Sequence, residues 1–164
     1  MLQKRPRPFF IKIIREAYYC VYNPAKRLYY YLFTPEVPGV KTFVVHDERL
    51  LLVRIGYAHK CWTLPGGKID KGEVPIVAAA REVFEESGAV LVSSKFLTKI
   101  TYHQENKIID LYYFYGEVDS DDLVIDYQEI IDAGWFAFDN LPENITPKLQ
   151  QEIQIIKDHL AKSV

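Results

Sequence analysis

Apolar and polar residues alternate along much of the chain after residue 38, and this alternation predicts β-strands. Two runs rich in β-branched residues, at 40–46 and 49–55, are separated only by Asp47 and Glu48, which predicts a hairpin. Further strands are predicted at residues 90–101, 108–118 and 135–138.

A helical pattern follows the glycine-containing stretch at residues 64–68. Pro75 suits the first turn of a helix and Gly88 suits its end, so a helix is predicted between them. At about 100° per residue, one side of this helix is apolar and the other is acidic. The apolar side consists of Ile76, Val77, Ala80, Val83 and Phe84.

Thr146 and Pro147 predict the start of a last helix. Its apolar residues, Leu149, Ile153, Ile156 and Leu160, fall on one stripe that should lie against the sheet. Strands and helices interleave without internal repeats, which predicts a layered α/β domain.

Length and composition narrow the class of protein. The chain has 164 residues, 49% of them hydrophobic and 26% charged, which favours one folded domain over a disordered or fibrous chain. Two cysteines cannot form a disulfide framework, and neither a secretory signal nor an uncharged apolar run of roughly 20 residues is present. We therefore expect a cytoplasmic protein without a membrane-spanning segment.

Charge is divided unevenly along the chain. Residues 1–36 contain seven Lys or Arg and two Glu, a net +5, so the remaining residues carry 13 positive and 20 negative side chains, a net −7. The same segment, here called the lead-in, holds nine of the 23 aromatic residues. It could contact an anionic membrane surface or nucleic acid, or it could pack on the domain or on a second subunit. We favour packing, with residues 37–164 forming the main domain and a homodimer as one form that the packing could take.

Three carboxylates share the acidic side of the first predicted helix, and they are Glu82, Glu85 and Glu86. Like charges three and four residues apart repel on a helix, so a cation is expected among them. Hard oxygen ligands suit Mg²⁺ or Mn²⁺, and Mg²⁺ commonly binds one or two carboxylates together with substrate phosphates. Arg81 could neutralise or orient part of this charge. The pattern therefore points to phosphate chemistry.

The spacing of these residues resembles a known motif. Gly67, Glu73, Arg81, Glu82, Glu85, Glu86 and Gly88 occupy all seven fixed positions of the 23-residue Nudix box, G-x5-E-x7-R-E-U-x-E-E-x-G-U, in which U is a bulky aliphatic residue. The box spans residues 67–89, and its last position holds the smaller Ala89. Weaker resemblance extends over residues 38–142.

The resemblance implies an α/β/α sandwich with a mixed sheet between helices. It also implies hydrolysis of a pyrophosphate bond in a nucleoside triphosphate or another nucleoside diphosphate derivative, with release of a nucleoside monophosphate. Glu85 and Glu86 would bind the metal, Glu82 would be a ligand or the base that activates water, and Arg81 would orient it. Glu73 would anchor the loop.

Further site residues are implied outside the helix. A backbone carbonyl of Gly66 or Gly67 is a candidate metal ligand, because glycine lets the backbone approach an ion closely. Glu129 could complete the metal shell, and Glu129 or Asp132 could replace Glu82 as the base.

The substrate is not specified by the sequence. The sequence features that distinguish the ADP-ribose and dinucleoside polyphosphate subgroups of the family are absent. A mutator-type triphosphate pyrophosphohydrolase is therefore the leading expectation. The alternative is a nucleotide-sensing or regulatory binding module on the same fold.

Overall fold

The computed structural model describes residues 36–56, 60–104, 107–125 and 129–161, so the lead-in lies outside the described residues except for Glu36. The strands are β1 (Glu36–His46), β2 (Arg49–Ile55), β3 (Trp62–Thr63), β4 (Leu91–Gln104), β5 (Lys107–Val118) and β6 (Ile130–Ala137). Within the described ranges, the helices are α1 (Pro75–Ser87) and α2 (Pro147–Ala161). No helix in these ranges is both long and apolar enough to span a membrane.

The six strands form one mixed sheet. Its order is β3-β2-β1-β5-β4, with β6 paired along β2. β1 and β5 run parallel, from Glu36 opposite Ile108 to Val45 opposite Glu117, and the other pairs are antiparallel. The mixed sheet predicted from the family resemblance is therefore confirmed.

The predicted hairpin is also confirmed. β1 and β2 pair antiparallel through Val45 and Leu50. The two residues between the strands, Asp47 and Glu48, have φ values of 47° and 59°. Two consecutive positive φ values match the right-handed twist of the flanking strands, which is why such turns suit two-residue hairpins.

The two helices lie on opposite faces of the sheet. On α2, Leu149, Ile153 and Ile156 pack with Phe43 and Leu50, so the predicted stripe is confirmed for these three residues. The side chain of Leu160 lies outside the described part of the chain. On the other face, Ala78, Ala79 and Val83 of α1 pack against residues such as Val40 and Val44. The α/β/α architecture is thereby established.

The apolar side of α1 is not, apart from Val83, the side that packs on the sheet. Its buried residues are Ala78, Ala79, Val83 and Ser87, whereas the bulky Ile76, Val77 and Phe84 are 42%, 55% and 58% exposed. Two of the carboxylates, Glu82 and Glu86, lie on the inward side of the helix because their side chains contact the loop at Gly66 and Gly67. Tertiary contacts thus override the apolar pattern.

β1 begins at Glu36, four residues before the predicted start at 40, and β4 ends at Gln104, three residues past the predicted end at 101. Two further strands differ more from the sequence prediction. β3 has only two residues, which is too short for any alternation to be visible, and it pairs with Val53 and Arg54 of β2. β6 begins at Ile130, five residues before the predicted start at 135. The first part of β6 does not show a strand pattern, because it contains Asp132 and Gly134 and both residue types are depleted in strands.

Candidate active site

The loop before α1 lies alongside β1. The Val40 amide donates to the carbonyl of Gly67 at 2.9 Å, and the Thr42 amide donates to the carbonyl of Pro65 at 3.0 Å. Gly66 has a φ of 143°, and a Cβ atom there would lie 2.1 Å from the carbonyl oxygen of Val40. Only glycine fits this position, so the sequence forces the loop close to the sheet.

Arg81 organises the polar side of α1. Its Nε and Nη2 donate to the two carboxylate oxygens of Glu73, each at 2.9 Å, and Nη2 also donates to the carbonyl of Lys68 at 3.0 Å. Its Nη1 donates to Glu82 at 2.8 Å and to Glu85 at 3.1 Å. A guanidinium has five N–H donors, and these five bonds use all of them. Arg81 therefore fixes three carboxylates relative to one loop.

Glu73 holds Arg81 from the loop side. Besides the bidentate pair, its carboxylate accepts a hydrogen bond from the amide of Asp70 at 3.0 Å. The bonds from Arg81 and from the Asp70 backbone lower the pKa of Glu73 to about 2, and the contact with Glu73 raises the pKa of Arg81. Both groups remain charged at neutral pH. This geometry agrees with an anchoring role for Glu73.

Glu82 lies directly against Gly67. A Cβ atom on Gly67 would lie 2.6 to 2.7 Å from all three atoms of the Glu82 carboxylate, so only a glycine leaves room for it. Burial raises the pKa of Glu82, and the bond from Arg81 partly offsets that shift. This close approach is one of the contacts through which the loop and the helix fit each other.

Glu86 is the most deeply enclosed carboxylate of the motif. It accepts a hydrogen bond from the amide of Gly66 at 2.8 Å. Burial raises the pKa of Glu86 to about 7, with Lys41 and the Gly66 amide opposing the shift and Glu82 and Glu129 adding to it. A nearby cation would strongly stabilise the ionised form of a carboxylate that is buried in this way.

Lys41 is a site residue that the sequence analysis missed. Its Nζ donates to the carbonyl of Leu64 at 2.6 Å and to the Thr63 hydroxyl at 3.3 Å. Its charge also opposes the rise that burial causes in the pKa values of Glu82 and Glu86. A signal was available, because a lysine occupies the strand face that otherwise carries Phe43 and Val45, and a cation within an apolar face is unusual.

The two acids outside the helix differ in their surroundings. Asp132 is paired with Arg54 on the neighbouring strand at 3.0 Å. Glu129 is exposed, and its charge acts on Glu86. The charge of Glu129 therefore acts on one carboxylate of α1, whereas Asp132 is paired with Arg54. Of the two candidate carbonyls, that of Gly67 already accepts the Val40 amide.

A polar cluster lies under α2 on the same sheet face as Lys41. Glu152 is 2% exposed, and its Oε1 accepts a hydrogen bond from the hydroxyl of Tyr113 at 2.9 Å. Its other carboxylate oxygen has no hydrogen-bond partner among the residues that the structure describes. The pKa of Lys148 is lowered, mainly by burial. The charge of Glu152 opposes this shift, and the charge of Lys41 adds to it. This cluster extends the charged surroundings of Lys41 toward α2.

The donor set fits a divalent cation in chemistry. Carboxylate oxygens are the ligands that Mg²⁺ and Mn²⁺ prefer, and Glu82 and Glu86 are both held beside the glycine loop where burial disfavours their charge. Within the described ranges, no three His, Cys, Asp or Glu side chains already converge on one point. Instead, Glu82 and Glu85 share the Nη1 donor of Arg81.

A mixed sheet between two helices, with a glycine loop and an acidic helix beside it, defines the class of this protein. A family model described as the NUDIX domain matches residues 35–158. Because this match covers more than half of the chain, the chain belongs to the Nudix family of hydrolases.

Individual relatives agree with the family. The chain is 32% identical over 96 residues to the NAD-capped RNA hydrolase NudC of Salmonella schwarzengrund (strain CVM19633), a match that covers 58% of this chain and 37% of that protein. Among solved structures, a MutT NUDIX hydrolase from Burkholderia pseudomallei is 26% identical with a TM-score of 0.66, covering 74% of this chain and 98% of the other. A UDP-X diphosphatase is also 26% identical with a TM-score of 0.61, covering 82% and 72%. The chain spans less than half the length of the curated relatives it matches.

Proposed function

We propose that this chain hydrolyses a pyrophosphate bond in a nucleoside triphosphate or another nucleoside diphosphate derivative, with Mg²⁺ or Mn²⁺ bound, and releases a nucleoside monophosphate. The observation that carries this proposal is the arrangement around Arg81. One guanidinium holds Glu73, Glu82 and Glu85, while the Gly66 amide holds Glu86 at the same loop. The result is a set of hard oxygen donors beside the backbone of the loop at Gly66 and Gly67.

The reaction is a displacement at phosphorus. A water oxygen forms a bond to one phosphorus, the bridging oxygen leaves with the other phosphate, and the proton lost by the water passes to a carboxylate. Bound divalent cations neutralise phosphate charge and make a bound water more acidic. Glu82, Glu85 and Glu86 would hold these ions, with the Gly66 carbonyl and Glu129 as further ligands.

Arg81 acts in this scheme as a positioning residue. Its five hydrogen bonds fix the Glu82 and Glu85 carboxylates relative to the loop, and Glu73 fixes Arg81 in turn. Preorganised charge of this kind stabilises the charge that develops in a transition state without further rearrangement.

The base remains assigned to one of two acids. Glu82 contacts the loop, and the charge of Glu129 reaches Glu86, whereas Asp132 is paired with Arg54. Replacement of the base by glutamine should lower kcat while cation binding persists. Replacement of a pure ligand should weaken cation binding as well.

The names of the relatives define the substrates to test. One similar protein is named an NAD-capped RNA hydrolase, and similar structures are described as a MutT NUDIX hydrolase and a UDP-X diphosphatase. All of these names are compatible with a phosphoanhydride substrate. Within that range we retain a nucleoside triphosphate as the first candidate.

A substrate panel tests the proposed function. Nucleoside triphosphates, NAD, NAD-capped RNA, ADP-ribose and UDP-sugars are incubated with the full chain, with Mg²⁺, with Mn²⁺ or with a chelator. We expect nucleoside monophosphate release from at least one of them only when the metal is present. Glu85→Gln should abolish it. Glu48→Gln, at the exposed turn between β1 and β2, is the matched control and should leave it unchanged.

Two outcomes would contradict the proposal. Turnover by Glu85→Gln at the rate of the unaltered chain would show that the carboxylates of α1 are not the site. Tight nucleotide binding without hydrolysis of any member of the panel would favour a nucleotide-sensing module.

A further inference from the structure

The outward side of α1 is apolar and has no cover among the described residues. Val77 and Phe84 are 55% and 58% exposed. Val124 is 73% exposed, and its amide donates a hydrogen bond to the carbonyl of Ser87 at the end of the helix. We call this surface the outer face of α1, and it consists of Val74, Ile76, Val77, Ala80, Phe84 and Val124.

The arrangement reverses the usual order of side-chain sizes on a surface helix. The buried residues of α1 are small, namely Ala78, Ala79, Val83 and Ser87, while the bulkiest apolar side chain, Phe84, points outward. Single exposed apolar residues are ordinary, but a contiguous apolar surface marks a contact site. The outer face therefore needs an occupant.

We propose that the occupant is the segment of residues 1–35 of the same chain. This segment joins β1 at Glu36, and the Pro38 carbonyl accepts a hydrogen bond from the Ile69 amide at 3.1 Å. Ile69 in turn packs with Ala78 and Ala79 in the first half of α1. The segment therefore joins the described domain close to the beginning of the outer face.

The length of the segment is sufficient. α1 has 13 residues, which corresponds to about 20 Å of helix. Thirty-five residues would span about 50 Å even if all of them were helical, so the segment can run along the whole outer face from its attachment at Glu36.

The composition of the segment matches this surface. Residues 1–36 hold nine aromatic residues, which supply apolar area, and seven Lys or Arg residues. The exposed carboxylate of Glu85 lies on α1 beside the outer face, and the chain from residue 37 onward carries a net charge of −7 against +5 for residues 1–36. Long cationic side chains can cover apolar surface while their charged ends stay in water.

Cross-linking in the full chain tests the proposal. The chain has two native cysteines, Cys20 in the segment and Cys61 in the domain. In a Cys61→Ser background, Val77→Cys places a second thiol on the outer face. Val92→Cys is the matched control, because Val92 has similar exposure, 54%, but lines the surface around Tyr115 and Glu117 away from α1. A bifunctional maleimide is added at low protein concentration, and the products are identified by peptide mass spectrometry.

The proposal predicts two results together. Val77→Cys should form an intramolecular link to Cys20 in clear excess over Val92→Cys, and its thiol should react with a monofunctional maleimide more slowly than the control thiol. Phe84→Cys, at the other end of the outer face, repeats the measurement if Val77→Cys does not fold.

Three results would overturn the proposal. A link of dimer size would assign the outer face to a second copy of the chain. A thiol at position 77 as reactive as the control, with no link to Cys20, would leave the outer face uncovered. A thiol protected only after addition of phosphatidylserine vesicles would assign it to a membrane surface.

Discussion

The two helices cover opposite faces of one sheet, yet their inward sides have different chemistry. α2 buries the large apolar residues Leu149, Ile153 and Ile156, with Glu152 as the polar exception that Tyr113 binds. α1 buries small residues and turns Glu82 and Glu86 toward the glycine loop. The comparison shows that α2 provides mainly packing, whereas α1 provides mainly positioned charge.

The largest expected effect is a loss of stability when a buried residue of α2 is truncated. Ile156 is fully buried, and Ile156→Ala should lower the free energy of unfolding by about 2 to 5 kcal/mol because it leaves a cavity. Ile155→Ala is the control, since Ile155 is only partly buried and should cost less. Denaturant unfolding measures both. An Ile156→Ala variant as stable as the original chain would contradict the packing role of α2.

Arg81→Ala should have the next largest effect, and on turnover rather than on packing. It removes the four hydrogen bonds that hold Glu73, Glu82 and Glu85 and the fifth to the Lys68 carbonyl, and we expect kcat/KM to fall on the order of 100-fold through lost positioning. Arg81→Lys should not restore it, because an ammonium lacks the planar set of five donors.

Arg49→Ala is the control for this prediction, since Arg49 pairs with Asp121 at 3.2 Å away from α1. Steady-state kinetics on the best substrate measures all three variants. Full activity in Arg81→Ala would show that the carboxylates need no common anchor.

Glu86 tests whether positioned charge on α1 costs stability in the metal-free protein. Burial raises the pKa of Glu86 from 4.5 to about 7, so between these pH values the folded chain binds more protons than the unfolded chain. Stability from this group therefore falls as pH rises from about 4.5 to about 7. Glu86→Gln should remove that loss, on the order of 3 kcal/mol.

Thermal unfolding with a chelator, at pH 4.5 and at pH 8, measures this effect. The Glu86→Gln variant should have the higher Tm at pH 8, and the difference should disappear at pH 4.5. A difference in Tm that is the same at both pH values would contradict the assignment.

Gly67→Ala should have the smallest effect of the series. The added Cβ would lie 2.6 to 2.7 Å from the Glu82 carboxylate, so Glu82 must move and activity should fall about 10-fold. Gly72→Ala is the control. Its φ of 84° strains an alanine, but no atom of the described ranges lies within 4 Å of the added Cβ, so it should lower Tm without lowering kcat. Equal kinetic effects of the two substitutions would contradict the contact between loop and helix.

Much of this arrangement could be predicted from local pattern. Asp47 and Glu48 between two strand patterns predicted the hairpin, and Pro75 with Gly88 predicted the bounds of α1. The motif spacing predicted that Arg81 and Glu73 belong with the carboxylates of α1. These features depend on residues close in sequence, where propensity and spacing carry the information.

Other features depend on contacts that no local pattern encodes. The rotation of α1 is set by Gly66 and Gly67, which bind Glu86 and make room for Glu82 from 15 to 20 residues away. Lys41 joins the site because β1 lies against the loop. The two sides of α1 can be read from its sequence, but which side faces the sheet is set only by the tertiary arrangement.

We propose that the carboxylates of α1 bind divalent ions and that these ions in turn bind a diphosphate. The most direct test is a crystal structure of the full chain with Mn²⁺ and a non-hydrolysable diphosphate analogue, with manganese located by anomalous scattering. We expect manganese beside Glu85 and Glu86, with phosphate oxygens bound to it. Phosphate elsewhere on the surface, with Glu82 and Glu85 still bonded to Arg81 and no manganese near them, would contradict the claim.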